Sequence, residues 1–170
     1  MNYSERRTES HVYFLGGPLS QWYKSNFDAV AFPSYSMAKF SSAEQYMMAS
    51  KALLFRDEKS YNLILETDNP RTQKQIGRQV KNFDEAIWKC CAKELVLRGN
   101  IAKFDQNIDL RKYLLETDNL ILVEGAAYDK VWGVGLAYDS KEIEDVSNWN
   151  GQNWLGRVLM EVRRRIRLSA

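Results

Sequence analysis

Histidine is almost missing from this chain: His11 is the one copy in 170 residues. It stands at the start of a strand-like stretch, "HVYFL", far in sequence from any other soft ligand, so a histidine-based triad and a zinc site of the usual Cys/His kind are both set aside. Cysteine is scarce too. Cys90 and Cys91 are neighbours in a helix-like segment, where a mutual disulfide would be badly strained, and they read as reduced thiols of a core or helix face. No apolar run is long enough to cross a bilayer, and "MNYSERRTESHVYFLGG" lacks the apolar stretch of a signal peptide, which predicts a cytoplasmic protein with no membrane partner. An excess of one charge is also lacking. Lys and Arg number 24 against 22 Asp and Glu, for a net charge of +2, and this balance by itself calls for neither nucleic acid nor lipid.

What is present is enough apolar mass for a core. With 45% hydrophobic and 12% aromatic residues, the chain predicts one compact domain over 1–170, α+β and mainly helical, with a few short strands. "HVYFL" and "FDAVAF", separated by the Gly16-Gly17-Pro18 turn signal, read as strands. A helix opens near Ser41, where Ser41-x-x-Glu44 and Ser42-x-x-Gln45 both satisfy the capping-box pattern and leave the register open. Asn69-Pro70 opens another helix as N-cap and first position. A third runs from Asp84 towards Gly99 as a stop, followed by "IDLRKYLLET" after Asn107 and a buried strand, "NLILVEGAA", ending near Glu124. The segment "YDKVWGVGLAYDSKEIEDVSNWNGQNWLG" is long for a connection in a compact domain, and its tryptophans argue for a functional loop rather than disorder. In the last helix Leu155, Val158, Leu159, Val162 and Ile166 take helical spacing, which puts Arg163, Arg164, Arg165 and Arg167 on the outer flanks as a solvated face.

The candidates for chemistry begin on the helix "SSAEQYMMASKALLF". Glu44 and Lys51, seven residues apart, project in nearly the same direction about 10 Å apart along the axis, on a stripe shared with Met47, Met48, Leu54 and Phe55. Glu44 can be a cap residue and Lys51 can snorkel to water, or the two can line a pocket for a polar ligand. In "YDKVWGVG", Asp129 offers a charge, Trp132 a stacking plate and Gly133 close backbone approach; the same residues also suit a tight loop anchored by tryptophan. Glu124 ends a strand and can face a cavity or solvent. "GQNWLG" before the last helix fits an anion site on backbone NH groups with Asn153, or an ordinary asparagine cap. Arg78 and Lys103 are further cations able to meet phosphate or to sit on the surface.

Taken together, "GGPLSQWY", "SAEQYMMASKALLF", "GRQVKNFDEAIW", "NIAKFDQN", "LVEGAAYDKVWGVGL" and "WNGQNWLGRVLMEVR" resemble, in their order, the NADAR family, also called YbiA-like or RibX-like. The resemblance covers the chain from about residue 14 to 163, with a domain core to about 167. It implies a helix-dominated α+β fold and an N-glycosidase that needs neither metal nor other cofactor. Two substrate classes are implied: ADP-ribose attached to guanine in nucleic acid, single-stranded DNA or RNA included, and phosphorylated ribosylamino-pyrimidine intermediates of riboflavin synthesis. "EQYMMA" with "DKVWGVGL" is similar to the branch linked with ADP-ribosyl substrates, whereas other members have histidine where this chain has Gln45. A monomer is expected. Cleavage of a ribosyl C–N bond passes through an oxocarbenium-like state, so a site needs one carboxylate to orient and deprotonate water and another to stabilise the sugar cation. Glu44 and Asp129 match these roles in either assignment, and Lys51 holds Glu44 ionised, contacts a ribose or phosphate oxygen, or attacks C1′ itself. Trp88 and Trp132 are candidates to stack on the base, and Asn153, Arg78 and Lys103 to hold phosphate. A binding module for ADP-ribose that has lost turnover is the remaining alternative, and the presence of both carboxylates and Lys51 speaks against it.

Overall fold

The computed structural model describes residues 3–33 and 35–169; positions 1, 2, 34 and 170 lie outside the described residues. Along the chain run β1 (Glu5–Arg7), β2 (His11–Phe14), β3 (Phe27–Ala29), β4 (Ala38–Phe40), α1 (Ala43–Leu54), α2 (Glu58–Leu65), α3 (Pro70–Arg78), α4 (Glu85–Gln106), α5 (Ile108–Leu115), β5 (Ile121–Glu124) and α6 (Trp154–Leu168), with two short 3-10 turns at Lys141–Glu144 and Val146–Asn148. The architecture is α+β and dominated by helices. By their contacts the residues form two units, one of residues 24–108 and the other of the two flanking segments.

The unit of residues 24–108 is built around α1. Ten of its twelve residues are buried, and α2, α3 and α4 all pack against it. The expectation of one apolar stripe therefore understates its burial, since a helix enclosed by three others has no solvent face to spare. Its start is fixed in one register. Ser42 is the N-cap and its hydroxyl accepts from Gln45 N at 3.1 Å, while Gln45 Oε1 accepts from Ser41 N at 2.7 Å. The Gln45 amide then donates to Ile64 O and Thr67 O at 2.9 and 3.0 Å, so one buried side chain joins the start of α1 to the end of α2. The Asn69-Pro70 start of α3 forms as expected, with Asn69 Oδ1 accepting from Arg71 N and Thr72 N. Gly99 is not a stop: α4 runs on to Gln106. The glycine serves packing instead, because a Cβ there would overlap the Tyr46 ring of α1.

The other unit holds a three-stranded sheet in the order β1-β2-β5, with β1 antiparallel to β2 and β2 parallel to β5. A parallel pair needs a long connection, and here the chain between β2 and β5 carries the whole of the first unit. α6 packs on β5 through Leu155, Val158, Leu159, Val162 and Ile166. Arg163 departs from expectation. It is 6% exposed, and its guanidinium donates to Thr117 Oγ1 at 2.7 Å and Leu120 O at 2.9 Å, satisfying polar groups of the turn after α5. A position four residues beyond Leu159 lies at the edge of the packed face rather than outside it. The neighbouring arginines are paired locally: Arg164 and Arg165 with Glu161 at 2.8 Å, and Arg167 with Asp118 at 3.1 Å.

Removing the Gln45 amide strands buried backbone groups at both helices, each worth about 1–3 kcal/mol when left unsatisfied. Gln45→Ala should therefore lower the unfolding free energy by about 3 kcal/mol in a urea titration. A loss under about 1 kcal/mol would show that water replaces these bonds.

Candidate functional site

In the unit of residues 24–108, Glu44 sits in the first turn of α1 and is 5% exposed. Because Ser42 is the N-cap, the Ser41–Glu44 capping box does not form and the start of α1 is held by Ser42 and Gln45. The carboxylate lies in the interior, at the positive end of the helix dipole.

Lys51, two turns further on, does not simply snorkel. Its Nζ donates to Gly77 O at 2.8 Å and lies 4.2 Å from the centre of the Phe83 ring and 5.5 Å from that of Trp88. The carbonyl belongs to the last turn of α3, whose dipole end attracts a cation, and the ring faces add cation–π attraction. Burial, with the charge of Arg78 adding to it, nevertheless holds the Lys51 pKa below the ordinary lysine value. Two cations thus sit close enough to oppose each other beside an exposed aromatic wall. Phe83 gives no sign of this role in the sequence; it is one more aromatic before a helix, and only the fold brings it to Lys51. Gly77 is required beside them, since a Cβ would overlap Met48 of α1.

Lys103 is placed by the fold in neither of its expected settings. It is 0% exposed, on the inner face of α4 beside Asn100 and Phe104, so a phosphate at the surface does not reach it, and burial lowers its pKa to about 7.

In the other unit the candidates form one knot. Asn153 has left-handed backbone (φ 50°) and makes no side-chain cap. Its Oδ1 accepts from Glu124 N at 3.0 Å and its amide donates to Leu122 O at 2.9 Å, so the side chain continues β5 like an extra strand residue. Gly133 lies between Glu124 and Asp129: Val134 N donates to Glu124 O at 3.0 Å, and a Cβ on Gly133 would press on Glu124 O at 2.9 Å and Asp129 O at 3.0 Å. Asp129 Oδ1 accepts from Val131 N and Trp132 N at 2.9 and 2.8 Å, which fixes the carboxylate in a tight turn. Trp132 stacks edge-on with Trp154, ring centres 5.5 Å apart.

The start of α6 does not form the expected anion site. The amides of Asn153, Trp154 and Leu155 donate to the carbonyls of Gly133, Val131 and Trp132 at 3.0–3.2 Å. Amides spent on a loop cannot cradle phosphate, and Asn153 is committed to β5. Among the described residues no group of three or more His, Cys, Asp or Glu is placed to hold a metal ion, and no helix is long and apolar enough to cross a membrane.

The family model for the NADAR domain matches residues 10–167, through both units. The chain belongs to the NADAR family. It is similar to N-glycosidase R617 of Acanthamoeba polyphaga mimivirus, 40% identical over 92% of this chain and 96% of that protein. It is also similar to Protein irg-1 of Caenorhabditis elegans, 37% identical over 94% and 81% of the two chains, and to N-glycosidase YbiA of Escherichia coli, 29% identical over 75% and 71%. The NMR structure of Escherichia coli YbiA shares the fold, with a TM-score of 0.74 at 23% identity, covering 98% of this chain and 90% of that one.

Burial of Lys103 links the NADAR fold to pH. Its pKa is about 7 when folded and near 10.4 when unfolded, so between these values the unfolded chain binds more protons and raising the pH stabilises the fold. Raising the pH from 7 to 9.5 should therefore raise the urea-unfolding free energy of the wild type, relative to Lys103→Met, by roughly 3 kcal/mol. Parallel curves for the two proteins would mean that Lys103 stays charged when folded.

Proposed function

We propose that the protein removes ADP-ribose from guanine bases in nucleic acid, hydrolysing the bond between ribose C1′ and the base nitrogen, as a cytoplasmic monomer without a cofactor. The general activity is that of its named relatives: the chain is an N-glycosidase, a hydrolase of N-glycosyl bonds. The choice of ADP-ribosyl-guanine is the proposal.

The observation that carries it lies on α1. One helix holds a buried carboxylate in its first turn, Glu44, and a lysine set at a helix end against two aromatic rings, with Arg78 close enough to oppose its charge. A diphosphate beside Lys51 and Arg78 would relieve their repulsion, and a base or ribose would cover the Phe83 and Trp88 rings. ADP-ribose carries both features, whereas a ribosylamino-pyrimidine phosphate carries a single phosphate. Glu44 then serves the ribosyl centre, activating water or stabilising the cation that develops at C1′. Asp129, in the other unit, is fixed in direction by its two loop amides.

Mass spectrometry of one reaction containing the protein, a guanine-ADP-ribosylated oligonucleotide and a ribosylamino-pyrimidine phosphate tests the choice. The expected result is loss of ADP-ribose from the oligonucleotide with intact guanine restored. Consumption of the pyrimidine riboside alone would move the protein to metabolite hydrolysis. No turnover of either, with ADP-ribose binding seen by calorimetry, would leave a binding module.

A further inference from the structure

The arginines of α6 are largely spent. Arg163 is buried on backbone oxygens, and Arg164, Arg165 and Arg167 are tied to Glu161 and Asp118. Arg157, in the first turns of the same helix, is exposed and has no ion pair or side-chain hydrogen bond among the described residues. Lys130 is likewise exposed and unpaired among them. These two cations lie on elements stitched together: Gln152 N donates to Lys130 O at 3.0 Å, Trp154 N to Val131 O at 3.2 Å and Leu155 N to Trp132 O at 3.1 Å. Loop 130–132 therefore runs beside 152–155 as a short ladder that carries the Trp132–Trp154 pair, and Arg157 follows Trp154 on its helix face at i+3.

Tyr128 stands before this ladder, in a turn closed by Asp129 N donating to Ala126 O at 3.1 Å. Its side chain is completely exposed and makes no hydrogen bond or ring contact among the described residues. It is four residues from Trp132, at most about 14 Å of extended chain. An aromatic ring kept wholly in water on a turn that leads into a ladder bearing two tryptophans and two unpaired cations gives the composition of a surface for unpaired nucleic acid: flat rings on which bases of any sequence stack, and cations able to meet phosphates. A protein partner would favour a larger apolar centre, and duplex DNA offers no free base faces to stack.

We infer that Tyr128, Lys130, Trp154 and Arg157 form a subsite for single-stranded nucleic acid, Tyr128 stacking on a base and Lys130 with Arg157 pairing with phosphates. This rests on the nucleic-acid reading of the substrate and gives that substrate a polarity of contact which the arginine-rich end of α6 does not supply. It also restricts the substrate to unpaired strands.

Fluorescence anisotropy with an unmodified, labelled single-stranded oligonucleotide tests the subsite without turnover. Wild type should bind it more tightly than the same sequence as a duplex. Tyr128→Ala should weaken binding about tenfold while Tyr128→Phe, which keeps the ring, retains it. Replacing both cations, Lys130→Gln with Arg157→Gln, should flatten the log–log salt dependence by about 1.4, the release of two phosphate contacts. Equal affinity for duplex and single strand, Tyr128→Ala unchanged, an unaltered salt slope, or no binding by wild type would each overturn the subsite. Turnover of a guanine-ADP-ribosylated single-stranded oligonucleotide by wild type reports separately on the function: its absence alongside intact strand binding would fault the proposed reaction and leave the subsite standing.

Discussion

The register of α1 is the constraint on which the placement of the α1 chemistry depends. With Ser41 as N-cap, Glu44 would be the capping-box residue, and a slip of the helix by one residue in its packing would turn every side chain by about 100°. Gln45 prevents this by bonding Ser41 behind it and Ile64 and Thr67 at the far side of α2, which ties the register to the packing of a second helix. With that register, Met48 meets Gly77, Tyr46 meets Gly99, and Lys51 arrives at the carbonyl end of α3. The two glycines are contact points chosen for their missing Cβ. Glu44 is thus held inside by a core that would lose several of its contacts if the helix rotated.

The second unit solves a different problem, that of holding a long loop still. It does so by treating the loop as an extension of the sheet. Asn153 bonds both Leu122 and Glu124 of β5, the amides at the start of α6 bond the carbonyls of 131–133, and Asp129 closes the turn between them. Tyr13, Val123, Val134 and Ile143 make the apolar centre beneath, with Trp149 packed on it. The polar groups at the helix start are therefore satisfied internally, and the outward-facing aromatic and cationic side chains remain as the exposed chemistry of this region.

Local signals in the sequence were reliable where one residue decides a local structure. Asn69-Pro70 and Asp84 open their helices as caps, and the apolar run before Glu124 forms a strand with Leu122 and Val123 buried and Ile121 exposed. They misled where a residue serves distant packing. Gly99 has the look of a helix end, yet its lack of a side chain accommodates Tyr46, a contact across elements that no local pattern contains. Arg163 reads as one of a solvated run until the turn after α5 supplies oxygens for it. Lys103 carries no mark of complete burial, because a single lysine in a helix is ordinarily on the surface. Asn153 reads as a cap and acts as a strand residue. Of the chemistry, the placing of Glu44 and Lys51 on one helix was legible in the sequence, whereas Phe83 and the Gly77 carbonyl reach Lys51 only through the fold.

Glu44 is the residue on which the functional account turns. It is a buried carboxylate in the first turn of α1, at the positive end of the helix dipole, and its proposed place is at ribose C1′. The direct test is the steady-state turnover of a guanine-ADP-ribosylated oligonucleotide by Glu44→Gln, with urea stability measured on the same preparation. The account predicts a kcat reduced about 10²–10⁴-fold with stability within about 1 kcal/mol of wild type. A variant that loses stability while its turnover per folded molecule stays that of the wild type would contradict it and make Glu44 a structural residue.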